Sequence, residues 1–195
     1  KCLSLDGCFA HKDEVLPFCV AYLSSTKQHI HYMSCAGTNS RWLGKEGSAM
    51  FIQFLATNRS VMSLNLSNNH SGVEMFLELS AILNYNLAIQ AIQIDGNDIA
   101  SVSAYRRFFS SLLNRGKPLY IPWPEQEVKD MLQYGAARRD DIEELIELYQ
   151  LVVNGGTQSR SRRGSPHKKL KKKRTETDVT ETEVEVDFPK VEDVL

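Results

Sequence analysis

The sequence predicts an α/β solenoid in which short strands alternate with helices. Three observations carry that expectation. The unit apolar–x–apolar–x–x–Asn of "LNLSNN" (64–69) returns as "IQIDGN" (92–97). Weaker copies stand at "LSLDGC" (3–8), "IHYMSC" (30–35) and "LYIPWP" (119–124), so the sixth positions fall at Cys8, Cys35, Asn69, Asn97 and Pro124, with steps of 27, 34, 28 and 27 residues. Between the copies lie stretches whose apolar residues are three and four apart, the spacing of one helix face.

Each element follows from local chemistry. The apolar–x–apolar unit is a strand whose alternate side chains enter a core. The period predicts Leu3 and Leu5, Ile30 and Tyr32, Leu64 and Leu66, and Ile92 and Ile94 as the inward pairs, with Val61 and Ile89 as leading apolar positions. The Asn or Cys position sits where the chain turns off the sheet. There a buried Asn bonds the backbone of neighbouring turns, and Cys substitutes as a small buried group. Helices are expected within "DEVLPFCVAYLSS", "EGSAMFIQFLATN", "GVEMFLELSAILN" and "IASVSAYRRFFSSLL". Helices this short gain their stability by stacking on neighbouring turns. The single long step is assigned to an insertion at 40–47. Pro118, Pro122 and Pro124 then end the sheet, and Trp123 is expected to cover the open end of the core. Two helices, in "PEQEVKDMLQYG" and "DDIEELIELYQLVVNGG", make a helical cap over 125–154.

The stretches "LNLSNN" and "IQIDGN", at a period near 28, resemble leucine-rich repeats of the ribonuclease-inhibitor type. The resemblance covers residues 1–124 in about four to five repeats and implies a curved solenoid that binds a protein partner on its concave face. Because Leu3 already falls in a repeat strand, the chain is expected to be a piece of a longer array. The register places His29, Ser63 and Ala91 in one outward row, with Cys2 and Pro118. It places His31, Asn65, Gln93 and Tyr120 in the next, with Ser4. Asp6, Met33, Ser67 and Asp95 form a third row. Such a surface, polar and mostly uncharged, suits a protein partner and not a specific nucleic acid, which asks for Lys and Arg with aromatics.

Charge divides the chain sharply. Residues 160–174 carry nine Lys or Arg and no acid, while residues 175–195 carry eight acids and Lys190. High charge and few large apolar residues predict a disordered tail over 155–195. Arg160, Arg162, Arg163, Lys168, Lys169, Lys171, Lys172, Lys173 and Arg174 read as a nuclear signal for an importin, as a patch for anionic lipid or actin, or as a block that pairs with its acidic neighbour. Ser165 before Pro166 is a candidate phosphorylation site whose phosphate would lower the local positive charge.

The chain contains no GxGxxG, P-loop, GxSxG or HExxH pattern, so no enzyme, cofactor or metal is expected. His70 reads as ordinary loop. The four cysteines all lie within the first 35 residues without a CxxC pair, which reads as reduced thiols in an intracellular protein. No apolar run reaches the length of a membrane span, and no signal-peptide pattern opens the chain. The layout of repeats, helices and charged tail is similar to that of CARMIL-type actin regulators, which implies a cytoplasmic interaction scaffold, although their capping-protein-binding motif is not found in the tail. The other readings are a RanGAP-type GTPase-activating protein, for which Arg41 is the candidate arginine, and a nuclear-targeted adaptor using the basic tail.

Overall fold

The computed structural model describes residues 1–24 and 29–155. It is an α/β fold with a four-stranded parallel sheet and six helices. The elements run β1 (Cys2–Ser4), α1 (Lys12–Ser24), β2 (Tyr32–Ser34), α2 (Gly44–Thr57), β3 (Ser63–Asn65), α3 (Gly72–Tyr85), β4 (Ala91–Gln93), α4 (Val102–Leu112), α5 (Glu125–Gln133) and α6 (Arg139–Val153). The strands lie side by side in sequence order, β1-β2-β3-β4. Each helix from α1 to α4 packs on the next, and α6 packs on α4. Residues 155–195, including the charged tail, fall almost wholly outside the described residues.

Three-residue strands each turn their central side chain to the core, with Leu3 of β1 partly buried and Ser34 of β2 buried beside Met33. The ladder pairs Leu3, Met33, Leu64 and Ile92, and Met33, Leu64 and Ile92 are fully buried. Aromatic rings fill the space between sheet and helices. Phe76 of α3 stacks on Phe108 of α4 with ring centroids 4.0 Å apart, and Phe109 meets Tyr149 of α6 at 5.8 Å. Trp123 closes this column against Tyr149 at 5.2 Å and is buried, in the place expected for the residue that covers the core's end. The stripe Val102, Tyr105, Phe108, Phe109 and Leu112 explains why α4 forms here. Its start is fixed by Ser101, whose hydroxyl accepts from the Ala104 amide at 3.3 Å.

Two expected registers are wrong: in the fifth unit Tyr120, not Pro118, stands beside Ala91, a shift of two that keeps Leu119 and Ile121 buried, and the second unit departs further. The period puts Ile30 and Tyr32 inward in the second unit, but the ladder aligns Met33 with Leu64, so Met33 and Cys35 hold the places of Leu64 and Leu66. Tyr32 turns outward. The steps between the inward residues Leu3, Met33, Leu64 and Ile92 become 30, 31 and 28. "IHYMSC" holds apolar residues at both parities, and the shift of three residues, from Ile30 to Met33, is odd and so exchanges the two faces of the strand. Burying Tyr32 would demand a partner for its hydroxyl, whereas Met33 fills a core without one. The insertion expected at 40–47 is smaller: six positions separate Thr38 from the start of α2 at Gly44, against three from Asn69 to Gly72.

The asparagine position is where the units lock together. Asn69 Nδ2 donates to the carbonyls of Cys35 at 2.8 Å and Leu66 at 3.0 Å, while its Oδ1 accepts from the Leu43 amide at 2.9 Å. Asn97 repeats this one unit on, donating to Leu66 at 2.9 Å and Ile94 at 2.7 Å and accepting from the Asn69 amide at 3.1 Å. Cys8 keeps the position, five residues after Leu3, without the expected burial, whereas in the second unit Thr38 and not Cys35 stands there. Cys8 is exposed, and Cys35 is a core residue whose thiol is pushed well above its usual range by burial. Where a third asparagine would stand, Glu127 of α5 accepts from the amides of Asn97 at 2.6 Å and Ile99 at 2.9 Å.

A second set of interlocking polar groups, recurring at steps of 28 and 29 residues, runs along the helix C-termini. Asn58 accepts from the amides of Ser60 and Val61, and Asn86 donates to the carbonyls of Leu55 and Asn58, both at 2.8 Å. Buried Arg115 ends the row. Its guanidinium donates to the carbonyls of Leu83, Asn86, Ile89, Lys117 and Pro118. Carbonyls at helix ends carry partial negative charge, so a cation is the fitting last member.

Candidate functional site

The site expected from the sequence is the sheet face turned away from the helices. Cα register defines its rows. The first is Cys2, Tyr32, Ser63 and Ala91, extended by a parallel bridge from Ala91 to Tyr120. The second is Ser4, Ser34, Asn65 and Gln93. Tyr32 and Tyr120 are exposed at 37% and 52%, and the floor between them is made by the small side chains of Ser63 and Ala91. Strands spaced about 4.8 Å apart put roughly 14 Å between the two tyrosine positions.

Of the expected partner-binding residues, Ser63, Asn65, Ala91 and Gln93 lie on this face in neighbouring strands. Tyr120 also lies there, but it belongs to the row of Ala91 and not beside Gln93. His29 and His31 do not occupy the rows: both are exposed ahead of β2, and Tyr32 and Ser34 take the places expected for them. Met33, expected in the third row, is core. The displacements of His29, His31 and Met33 follow from the register slip in the second unit, and that of Tyr120 from a separate shift in the fifth. Tyr32 is the face residue that sequence reasoning missed.

Two carboxylates bound the face along its trailing side. Asp6 accepts from the hydroxyls of Ser34 at 2.5 Å and Ser4 at 3.1 Å and from the Ala36 amide at 2.8 Å. Burial pushes its carboxyl up, but these donors win and hold it below the usual carboxylate range. Asp95 accepts from the Gly96 amide and, through both oxygens, from the amides of Gln126 and Glu127, so it clips α5 to the sheet. The remaining residues of the two rows are uncharged.

His70 is not simply a loop residue. Its Nδ1 lies 2.8 Å from Asp98 Oδ2, and its ring meets Trp42 edge-on at 4.9 Å. Asp98 stands 28 residues after His70, in the same place one unit later, and both have a positive φ, 51° and 59°. Aligning the two good repeats by position would have found this pair. Arg41, the candidate arginine of the GTPase-activating reading, is exposed, and its carbonyl accepts from the Thr38 amide at 2.7 Å.

A cleft of about 430 Å³ opens beside Tyr120, lined by Leu87, Gln90, Arg115, Lys117, Pro118 and Val153. Arg115 is committed to backbone carbonyls there. Among the described residues no group of three or more His, Cys, Asp or Glu is placed to hold a metal ion. None of the described helices is long and apolar enough to cross a membrane. The basic residues from Arg160 to Arg174 lie outside the described residues. Searches against known protein families and against curated proteins find no match for this chain.

Proposed function

We propose that the chain is a leucine-rich-repeat solenoid of the ribonuclease-inhibitor type and acts as a non-enzymatic scaffold that binds a protein partner on the open sheet face. Consecutive parallel strands in sequence order, locked by Asn69 and Asn97, support the repeat reading. One observation carries the interface: an unpaired sheet face floored by Ser63, Asn65, Ala91 and Gln93 and flanked by exposed Tyr32 and Tyr120. Exposed tyrosines bordering small polar residues offer large contact area at low entropic cost, and Tyr is enriched at interfaces. The CARMIL-like layout makes a cytoskeletal partner in the cytoplasm the first class to test, with nuclear targeting through the basic tail as the alternative.

If the folded units carry the function, affinity capture by the full chain and by a chain ending at Gly156 should recover the same principal partner. A partner set that disappears with the tail would move the function to residues 157–195.

A further inference from the structure

The solvent face of α6 is acidic along its length. Asp140, Glu143, Glu144 and Glu147 are exposed on one side, opposite buried Ile142, Leu145, Ile146, Tyr149 and Val152. Arg106 of α4 holds Glu144 through Nε at 2.9 Å, and Arg139 reaches Glu143 at 3.5 Å. Asp140 and Glu147 make no hydrogen bond or ion pair among the described residues. The side of the helix facing away from the core thus presents four carboxylates, of which Glu143 and Glu144 are paired with arginines and Asp140 and Glu147 are left without a basic partner among the described residues.

The chain beyond α6 supplies the opposite charge at short range. Gly155, the last described residue, has φ 73° and donates its amide to Val152, which turns the backbone out of the helix axis. Five residues then lead to Arg160, a reach of at most about 17 Å when extended. Glu147 lies about 10 Å back along the helix from Asn154. The fifteen residues 160–174, with nine positive charges, therefore have length enough to return along the whole acidic face.

We propose that the acidic face of α6 is the docking surface for the basic segment 160–174 of the same chain. Exposed ion pairs contribute little one at a time. Here a short tether raises the effective concentration toward the millimolar range, and nine cations meet Asp140 and Glu147 together with two carboxylates that Arg106 and Arg139 share. The contact is electrostatic and weakens as salt shortens the screening length. Its consequence is regulatory: the docked block is withheld from other polyanions, and neutralising α6 releases it.

Zero-length carbodiimide crosslinking of the full chain at low salt tests the contact. Mixing isotopically labelled and unlabelled chains separates links within one chain from links between chains. Links from Lys168, Lys169 and Lys171–Lys173 to Asp140, Glu143 or Glu147 within one chain are expected, and they fade in about 1 M salt, where the Debye length is about 3 Å. The full-length triple variant D140N/E143Q/E147Q is expected to bind phosphatidylserine vesicles about fivefold more tightly than the parent chain, since each freed Lys or Arg adds to membrane attraction. Links confined to the acids of 175–195, links only between chains, no links at all, or an unchanged vesicle affinity would each overturn the proposal.

Discussion

Asn97→Ala is expected to destabilise the protein by about 3 to 5 kcal/mol in equilibrium denaturation. Asn97 is fully buried and serves three backbone groups at once. Its amide nitrogen donates to the carbonyls of Leu66 and Ile94, and its oxygen accepts from the Asn69 amide. Alanine leaves the Ile94 carbonyl and the Asn69 amide without these partners in a place water reaches poorly, at about 1 to 3 kcal/mol for each orphaned group, while the Leu66 carbonyl keeps the donor from Asn69. Asn97→Asp keeps the shape but turns a carboxylate toward two carbonyls, so it rescues nothing. Asn65→Ala is the control, because Asn65 is half-buried on the open face and its oxygen serves only the Ser67 amide at 3.0 Å. A cost under about 1 kcal/mol is expected there. Equal losses at the two positions would mean that Asn97 does not lock one unit to the next.

Glu127 should make stability depend on pH between about 4.5 and 7. Burial pushes its carboxyl up to about 7, against the amides of Asn97 and Ile99, which favour the anion; Asp95 and Asp98 add to the rise. In the unfolded chain a glutamate titrates near 4.3. The folded state therefore holds the proton more tightly. Its contribution is fully present below the unfolded value and is lost as pH rises through the folded one. The size is on the order of 3 kcal/mol across that window. Denaturation of the parent chain and Glu127→Gln, each followed from pH 4.5 to 8, isolates this group, because the histidines and other carboxylates titrate in both. The parent should lose stability relative to Glu127→Gln as pH rises. Parallel curves would show that the carboxyl is ionised throughout and that the amide bonds outweigh burial.

Much of the fold was legible because two units, 64–69 and 92–97, carry a full set of signals. Leucine or isoleucine occupies both inward places there, and an asparagine follows at the turn. The second unit was misread because "IHYMSC" satisfies the inward pattern in two registers, and only the ladder to β3 separates them. That one ambiguity moved His29 and His31 onto the face and removed Tyr32 from it. The end of the sheet was legible in part. Prolines and Trp123 announced it, yet Glu127 was read only as an acid near a helix start. Its spacing of 30 residues from Asn97 is the overlooked signal. Asn58, Asn86 and Arg115 recur at steps of 28 and 29 and were overlooked because each lies just past a helix, in a stretch where polar residues are ordinary.

The two ends of the polar rows obey one physical rule. Where the open side presents amide N–H groups, a carboxylate finishes the row. Where it presents helix-end carbonyls, a guanidinium does. Both groups are desolvated, and both are satisfied mainly by backbone, so they stabilise the C-terminal end without needing each other. With that end closed by α5, α6 and Trp123, the sheet face between Tyr32 and Tyr120 stays open and is the surface proposed for recognition.

The interface on that face is tested most directly by the double variant N65R/Q93R in the full chain. Both side chains are outside the core, so unfolding midpoints should match those of the parent within experimental scatter. The principal partner recovered by the parent should be lost from the variant, with affinity reduced at least tenfold once that partner is in hand, because two bulky cations then stand in the centre of the contact. Undiminished binding by a variant that unfolds like the parent would contradict an interface on the sheet face.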